Sequence, residues 1–183
     1  MRATTNAVRI PEKENLMRNA RQFLVMFLAL IAVAAVGLAT SKSQPEFERV
    51  KSLAGNWQGK ASDGRPVHIN YKVVSGGTAV MESIEESSEA QMVTLYYLDG
   101  DHLMMTHYCK ANNQPRMRAD ASTSSPSAIK FTFVDATNLS GPDAGHMHAH
   151  SIIWKDADHV TQTWTWREKG QEHVATFEVQ REK

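Results

Sequence analysis

The chain has 183 residues, 42% of them hydrophobic, and its 20 basic and 20 acidic side chains balance to a formal charge of zero. That balance, with no basic run and with aromatic residues lying in strand-like segments rather than among clustered arginines, excludes a nucleic-acid binder. Cys109 is the only cysteine, so no internal disulfide can form and the fold has to be held by its core.

An almost unbroken apolar run over residues 23–39 follows Arg18 and Arg21. This is the form of a secretory signal: the basic residues stay on the cytoplasmic side, the apolar run enters the membrane, and Gly37-Leu38-Ala39 presents the small-x-small pattern that a signal peptidase accepts. Cleavage is expected after Ala39, which makes residues 1–39 a signal peptide and the mature protein periplasmic or secreted. Met17 is an alternative start. An uncleaved membrane anchor over 23–39 is the competing reading, since a span needs about 17 to 25 residues. Membrane contact is expected only through this segment. Its removal takes away Arg2, Arg9, Lys13, Arg18 and Arg21 against Glu12 and Glu14 and leaves a net charge of about −3 on residues 40–183.

Those residues suffice for one domain with a substantial core. Phe47, Val50, Leu53 and Ala54 fall on one helical stripe, which predicts a short helix covering one end of the fold. Strand-like segments then recur at 55–61, 67–75, 78–85, 91–98, 102–109, 116–122, 129–134, 146–154, 159–167 and 172–180, mostly separated by Gly, Asp, Asn and Ser turns. About ten antiparallel strands without helical interludes predict an all-β, up-and-down barrel, because closure removes the exposed edges. A two-sheet sandwich is the alternative.

The first strand carries Gly55-Asn56-Trp57-Gln58-Gly59-Lys60. Trp supplies a large rigid plug with one N–H to satisfy, and glycines allow close backbone approach. Through this Gly-x-Trp-x-Gly segment the chain resembles the calycin group: lipocalins, fatty-acid-binding proteins and, most nearly, nitrobindin-like barrels. The resemblance implies a ligand-binding barrel over residues 46–183, with haem as the cofactor of the nitrobindin-like version.

In the hairpin around Asp99-Gly100, a turn on those two residues pairs Tyr96 with Leu103, Thr94 with Met105 and Met92 with His107. The face bearing Leu103, Met105, His107 and Cys109 is assigned to the interior, leaving His102 and Tyr97 in water. In the ninth strand Val160, Gln162, Trp164 and Trp166 alternate with Thr161, Thr163 and Thr165, and the tryptophans are assigned inward.

These assignments give the leading functional reading: a small, largely apolar molecule bound inside the barrel. Trp57, Met105, Trp164 and Trp166 supply the apolar contacts, and His107, Gln114, Arg116 and His148 supply the polar anchors. Trp57, beside the covering helix, is expected to serve the fold first. Arg116 and Arg118 are solvated on the register above, and would face a ligand carboxylate only with reversed parity, as the resemblance to fatty-acid-binding proteins implies. Haem would use an inward histidine among His107, His148 and His150. Separately, His146-x-His148-x-His150 has the spacing by which strand histidines share zinc or copper, given a further ligand such as His107, Cys109 or His159. The bland reading seats them at the barrel mouth, hydrogen-bonded or solvated. A small enzyme using His107 is the remaining class, although residues two apart on a strand lie about 6.5 to 7 Å apart, too far for His107 to activate Cys109.

Overall fold

The structure, a computed structural model, describes residues 44–86 and 91–183. The signal peptide and cleavage expected over 1–39 lie outside the described residues. A helix, α1 (Gln44–Lys51), leads into ten strands: β1 (Gly55–Ala61), β2 (Pro66–Val74), β3 (Ala79–Glu86), β4 (Met92–Asp99), β5 (His102–Tyr108), β6 (Gln114–Ala119), β7 (Ala128–Thr137), β8 (His146–Trp154), β9 (His159–Glu168) and β10 (Gln171–Arg181). Each strand pairs antiparallel with the next, and β1 pairs with β10, so the sheet closes into an up-and-down barrel. The barrel, and not the sandwich, is the architecture. No helix among the described residues is long and apolar enough to cross a membrane.

The Gly-x-Trp-x-Gly strand closes the seam. Gly59 faces Val179 of β10, and a Cβ there would fall 1.9 Å from the Glu178 carbonyl oxygen, so only glycine permits this approach. Trp57 is fully buried and donates its indole N–H to the Leu53 carbonyl at 2.8 Å. The Arg181 guanidinium lies 4.3 Å over the same ring and donates to the carbonyls of Ala54 (2.8 Å) and Ser52 (2.9 Å). The last strand thus holds the exit of α1, whose Phe47 and Val50 are buried with Leu53 in the core. A cation that satisfies carbonyls at a helix C-terminus is favoured by their orphaned acceptors and by the helix dipole.

Alternation puts Val67, Ile69 and Tyr71 of β2, Val80 and Ile84 of β3, and Ile129 and Phe131 of β7 in the interior. The turn in the β4–β5 hairpin is one residue later than the sequence suggested. Gly100 and Asp101 form it, Asp99 pairs with His102, and the register becomes Leu98 with Leu103, Tyr96 with Met105 and Thr94 with His107. Gly100 takes φ 56° at the first central position, which glycine adopts without steric cost. The pairing therefore slips by two residues, an even number that keeps every side chain on its assigned face. Leu103, Met105 and His107 are buried.

Strand β6 ends at Ala119 rather than at Ser122 because Asp120 begins a turn, its Oδ1 accepting from the Ser122 backbone N–H at 2.9 Å.

Candidate functional site

Because each connection reverses the chain, α1 covers one end of the barrel, and the opposite end carries the loops at 62–65, 109–113, 138–145 and 169–170. Between the two ends lies a buried polar layer. Glu82 of β3 is the centre of it: it occupies the inward position between Val80 and Ile84 and is fully buried. Gln162 of β9 donates its amide to Glu82 Oε1 and to the Tyr71 hydroxyl. Tyr96 donates to Glu82 Oε2 at 2.9 Å, and the hydroxyls of Tyr71 and Thr94 also reach the carboxyl. Burial pushes the Glu82 carboxyl up, and this ring of donors pulls it back down. The same burial, with Glu82 beside them, holds the Tyr71 and Tyr96 phenols well above their usual range.

Trp164 joins this carboxyl to two histidines. Its indole N–H donates to Gln162 Oε1 at 2.8 Å, His150 stacks on it at 3.9 Å between ring centroids, and His107 tilts against it at 4.7 Å. His150 places Nδ1 3.2 Å from the Thr163 carbonyl and Nε2 3.2 Å from the Tyr96 hydroxyl. A carbonyl can only accept, so His150 carries its proton on Nδ1. Burial lowers His150 to about 3, with His107 adding repulsion, and burial lowers His107 to about 4. Both rings are neutral at physiological pH. His107 bonds through Nδ1 to Thr94 Oγ1 at 2.9 Å, and its Nε2, buried, has no partner.

The structure gathers only part of the predicted site. Met105, His107 and Trp164 are inside the barrel. Trp57 is buried too, but at the helix-covered end against Leu53 and Arg181. Gln114 accepts through Oε1 from Thr137 and Asn138 in neighbouring β7 and its loop. Arg116 points to solvent and pairs with Asp135, which raises its basicity, as the unreversed parity of β6 requires. Trp166 is half-buried and packs over Gly145, where a Cβ would lie 2.2 Å from its ring.

The three histidines of β8 do not share a face. Met147 pairs with Trp166 and Ala149 with Thr165, so His148 is the extra residue of a bulge and alternation breaks at it. His150 goes to the polar layer. His146 and His148 stay at the end opposite α1 against Phe133, with His146 Nε2 3.2 Å from His148 Nδ1 and His146 Nδ1 2.8 Å from the Ala144 carbonyl. Burial lowers the His148 pKa, with Arg167 adding to the effect. Among the described residues no group of three His, Cys, Asp or Glu side chains is placed to hold a metal ion.

Sequence reasoning missed Glu82, Tyr71 and Tyr96, and named His150 only as a candidate haem or metal ligand. The signal for Glu82 was present: it stands where alternation demands an apolar residue, between Val80 and Ile84, and a carboxyl there needs partners. His150 follows ordinary alternation with Ile152 and Trp154, and the bulge that takes His146 and His148 out of that phase leaves no mark in the pattern.

No family model matches the chain, and no curated protein matches it. Among solved structures, Rv2717c from M. tuberculosis is similar over 76% of this chain and 98% of that one, at 15% identity and a TM-score of 0.47. EF1p2_mFAP2b bound to DFHBI is similar over 74% and 98%, at 10% identity and a TM-score of 0.35. The chain itself folds as an up-and-down barrel, closed by ten antiparallel strands.

Proposed function

We propose that this is an exported barrel that holds a small, largely apolar molecule in its interior, anchored by His107 against Trp164 and Met105. The observation that carries the reading is the buried Nε2 of His107. Buried polar groups are paired almost without exception, and a nitrogen left open inside an otherwise satisfied layer is where a ligand completes the network. The end opposite α1 is the side on which Cys109 follows β5 and pairs with Asn113.

Haem suits these residues less well: His107 Nε2 is a competent donor to iron, but Trp164 packs against the same ring at 4.7 Å between centroids, and among the described residues the buried polar layer around it offers no cation for the haem carboxylates.

His107→Ala is expected to abolish retention of the co-purified molecule in native mass spectrometry while the barrel still melts cooperatively, and His102→Ala, on the exposed face, to leave retention intact. Equal retention by His107→Ala protein removes the anchor from this reading. Export rests on the apolar run behind Arg18 and Arg21 and on Gly37-Leu38-Ala39. Protein recovered outside the cytoplasm should have the mass of residues 40–183; full-length chain in the membrane fraction would make the run an anchor.

A further inference from the structure

We propose that the interior site selects an uncharged ligand that donates a hydrogen bond, an alcohol or a phenol, and rejects carboxylates. This deepens the reading of His107 as an interior anchor and rests on it.

Thr94 has one hydroxyl hydrogen and two neighbours, Glu82 and His107 Nδ1. The carboxyl draws that hydrogen, so the Thr94 oxygen accepts from His107 Nδ1–H. Were Glu82 protonated on Oε2, that proton would go to the Tyr96 oxygen at 2.9 Å and free the phenolic hydrogen for His150 Nε2, leaving the Thr94–His107 bond as it is. With its one proton on Nδ1, neutral His107 presents a lone pair at Nε2. It asks for a donor.

Asn113 asks for the same. Its side-chain N–H donates to the Gly145 carbonyl at 2.8 Å, which can only accept, so the amide orientation is set and Oδ1 is the other end. That oxygen is buried and has no partner, on a residue only 3% exposed. Asn113 pairs with Cys109, two residues beyond His107 on the inward face of β5, so both open acceptors belong to the same end of the barrel. Against them stands no buried cation: among the described residues the buried charged side chains are Glu82 and Glu86, and Arg116 is exposed on the outer face. A carboxylate drawn in beside two acceptors would be desolvated, unneutralised and repelled.

The test is a calorimetric titration of the purified full barrel with phenol and, separately, with benzoate, on the native protein and on His107→Phe and Asn113→Ala variants whose thermal melts show them folded. Phenol is expected to saturate a single site, with benzoate weaker by at least about tenfold, the factor that one unpaired buried polar group produces. His107→Phe is expected to erase the preference, and Asn113→Ala to weaken phenol. Benzoate binding as tightly as phenol, and lost in His107→Phe, would overturn the ligand class while leaving the interior site standing. If neither probe binds, the class and the interior site fall together.

Discussion

Acidifying the protein from about pH 7 to about pH 4 is expected to unfold it, through His107 and His150 rather than through surface ion pairs. Both imidazoles are held neutral by burial, with pKa values lowered from 6.5 to about 4 for His107 and about 3 for His150. A lowered folded pKa means that the unfolded chain takes up the proton first. Stability from these groups is therefore complete above about 6.5 and is lost progressively as the pH falls toward the folded values. At 1.36 kcal/mol per pKa unit, the linkage lost by about pH 4 amounts to about 3 kcal/mol for each imidazole, and His150 loses a further unit's worth toward pH 3. Two such losses approach the whole stability of a typical domain, roughly 5 to 15 kcal/mol. Glu82 works in the opposite sense: its raised pKa gives stability that is full below the unfolded value near 4.5 and is lost as pH rises through the folded value, so its protonation opposes part of the decline. Thermal melts across this range check the prediction. The midpoint should fall steeply below about pH 6.5, and less steeply in a His150→Phe variant; a flat profile would show that neither imidazole is held neutral.

Trp57→Ala is expected to destabilise the barrel by about 3 to 5 kcal/mol, the usual range for a fully buried large aromatic. The loss has three parts at one place. The ring fills the helix-covered end, its N–H satisfies the Leu53 carbonyl, and its face carries the Arg181 guanidinium that in turn holds Ser52 and Ala54. Removing it leaves a cavity, an unpaired carbonyl and a cation without its platform, and so loosens α1 along with the seam between β1 and β10. Chemical denaturation should show the drop in midpoint, with retention of the interior molecule per folded protein unchanged. Lost retention at unchanged stability would instead make Trp57 a ligand contact.

Much of the barrel was legible because alternation is a strong signal wherever one face is apolar. Leu103, Met105, Val160 and Trp164 lie inside as the period of two requires, and a turn misplaced by one residue did no harm because the pairing slipped by two. The site was less legible. Its centre, Glu82, interrupts an apolar face; its partners Tyr71 and Tyr96 come from the neighbouring strands β2 and β4, and Gln162 comes from β9, which only closure brings across the barrel. His146, His148 and His150 read as one cluster because spacing assumes an unbroken strand. A single inserted residue at His148 separates them, and it is set by how β8 fits β9 rather than by the local sequence. Arg116 was suspended between two faces, and its pairing with Asp135 across β6 and β7 settles it outward.

The central claim is that His107 Nε2 is a ligand's anchor, and it is tested most directly by a high-resolution crystal structure of the protein purified from its natural source without added ligands. The account predicts non-protein density larger than water, within hydrogen-bond distance of His107 Nε2 and reaching toward Asn113. A lone ordered water on Nε2, or a His107 ring turned to bond another side chain, would contradict it.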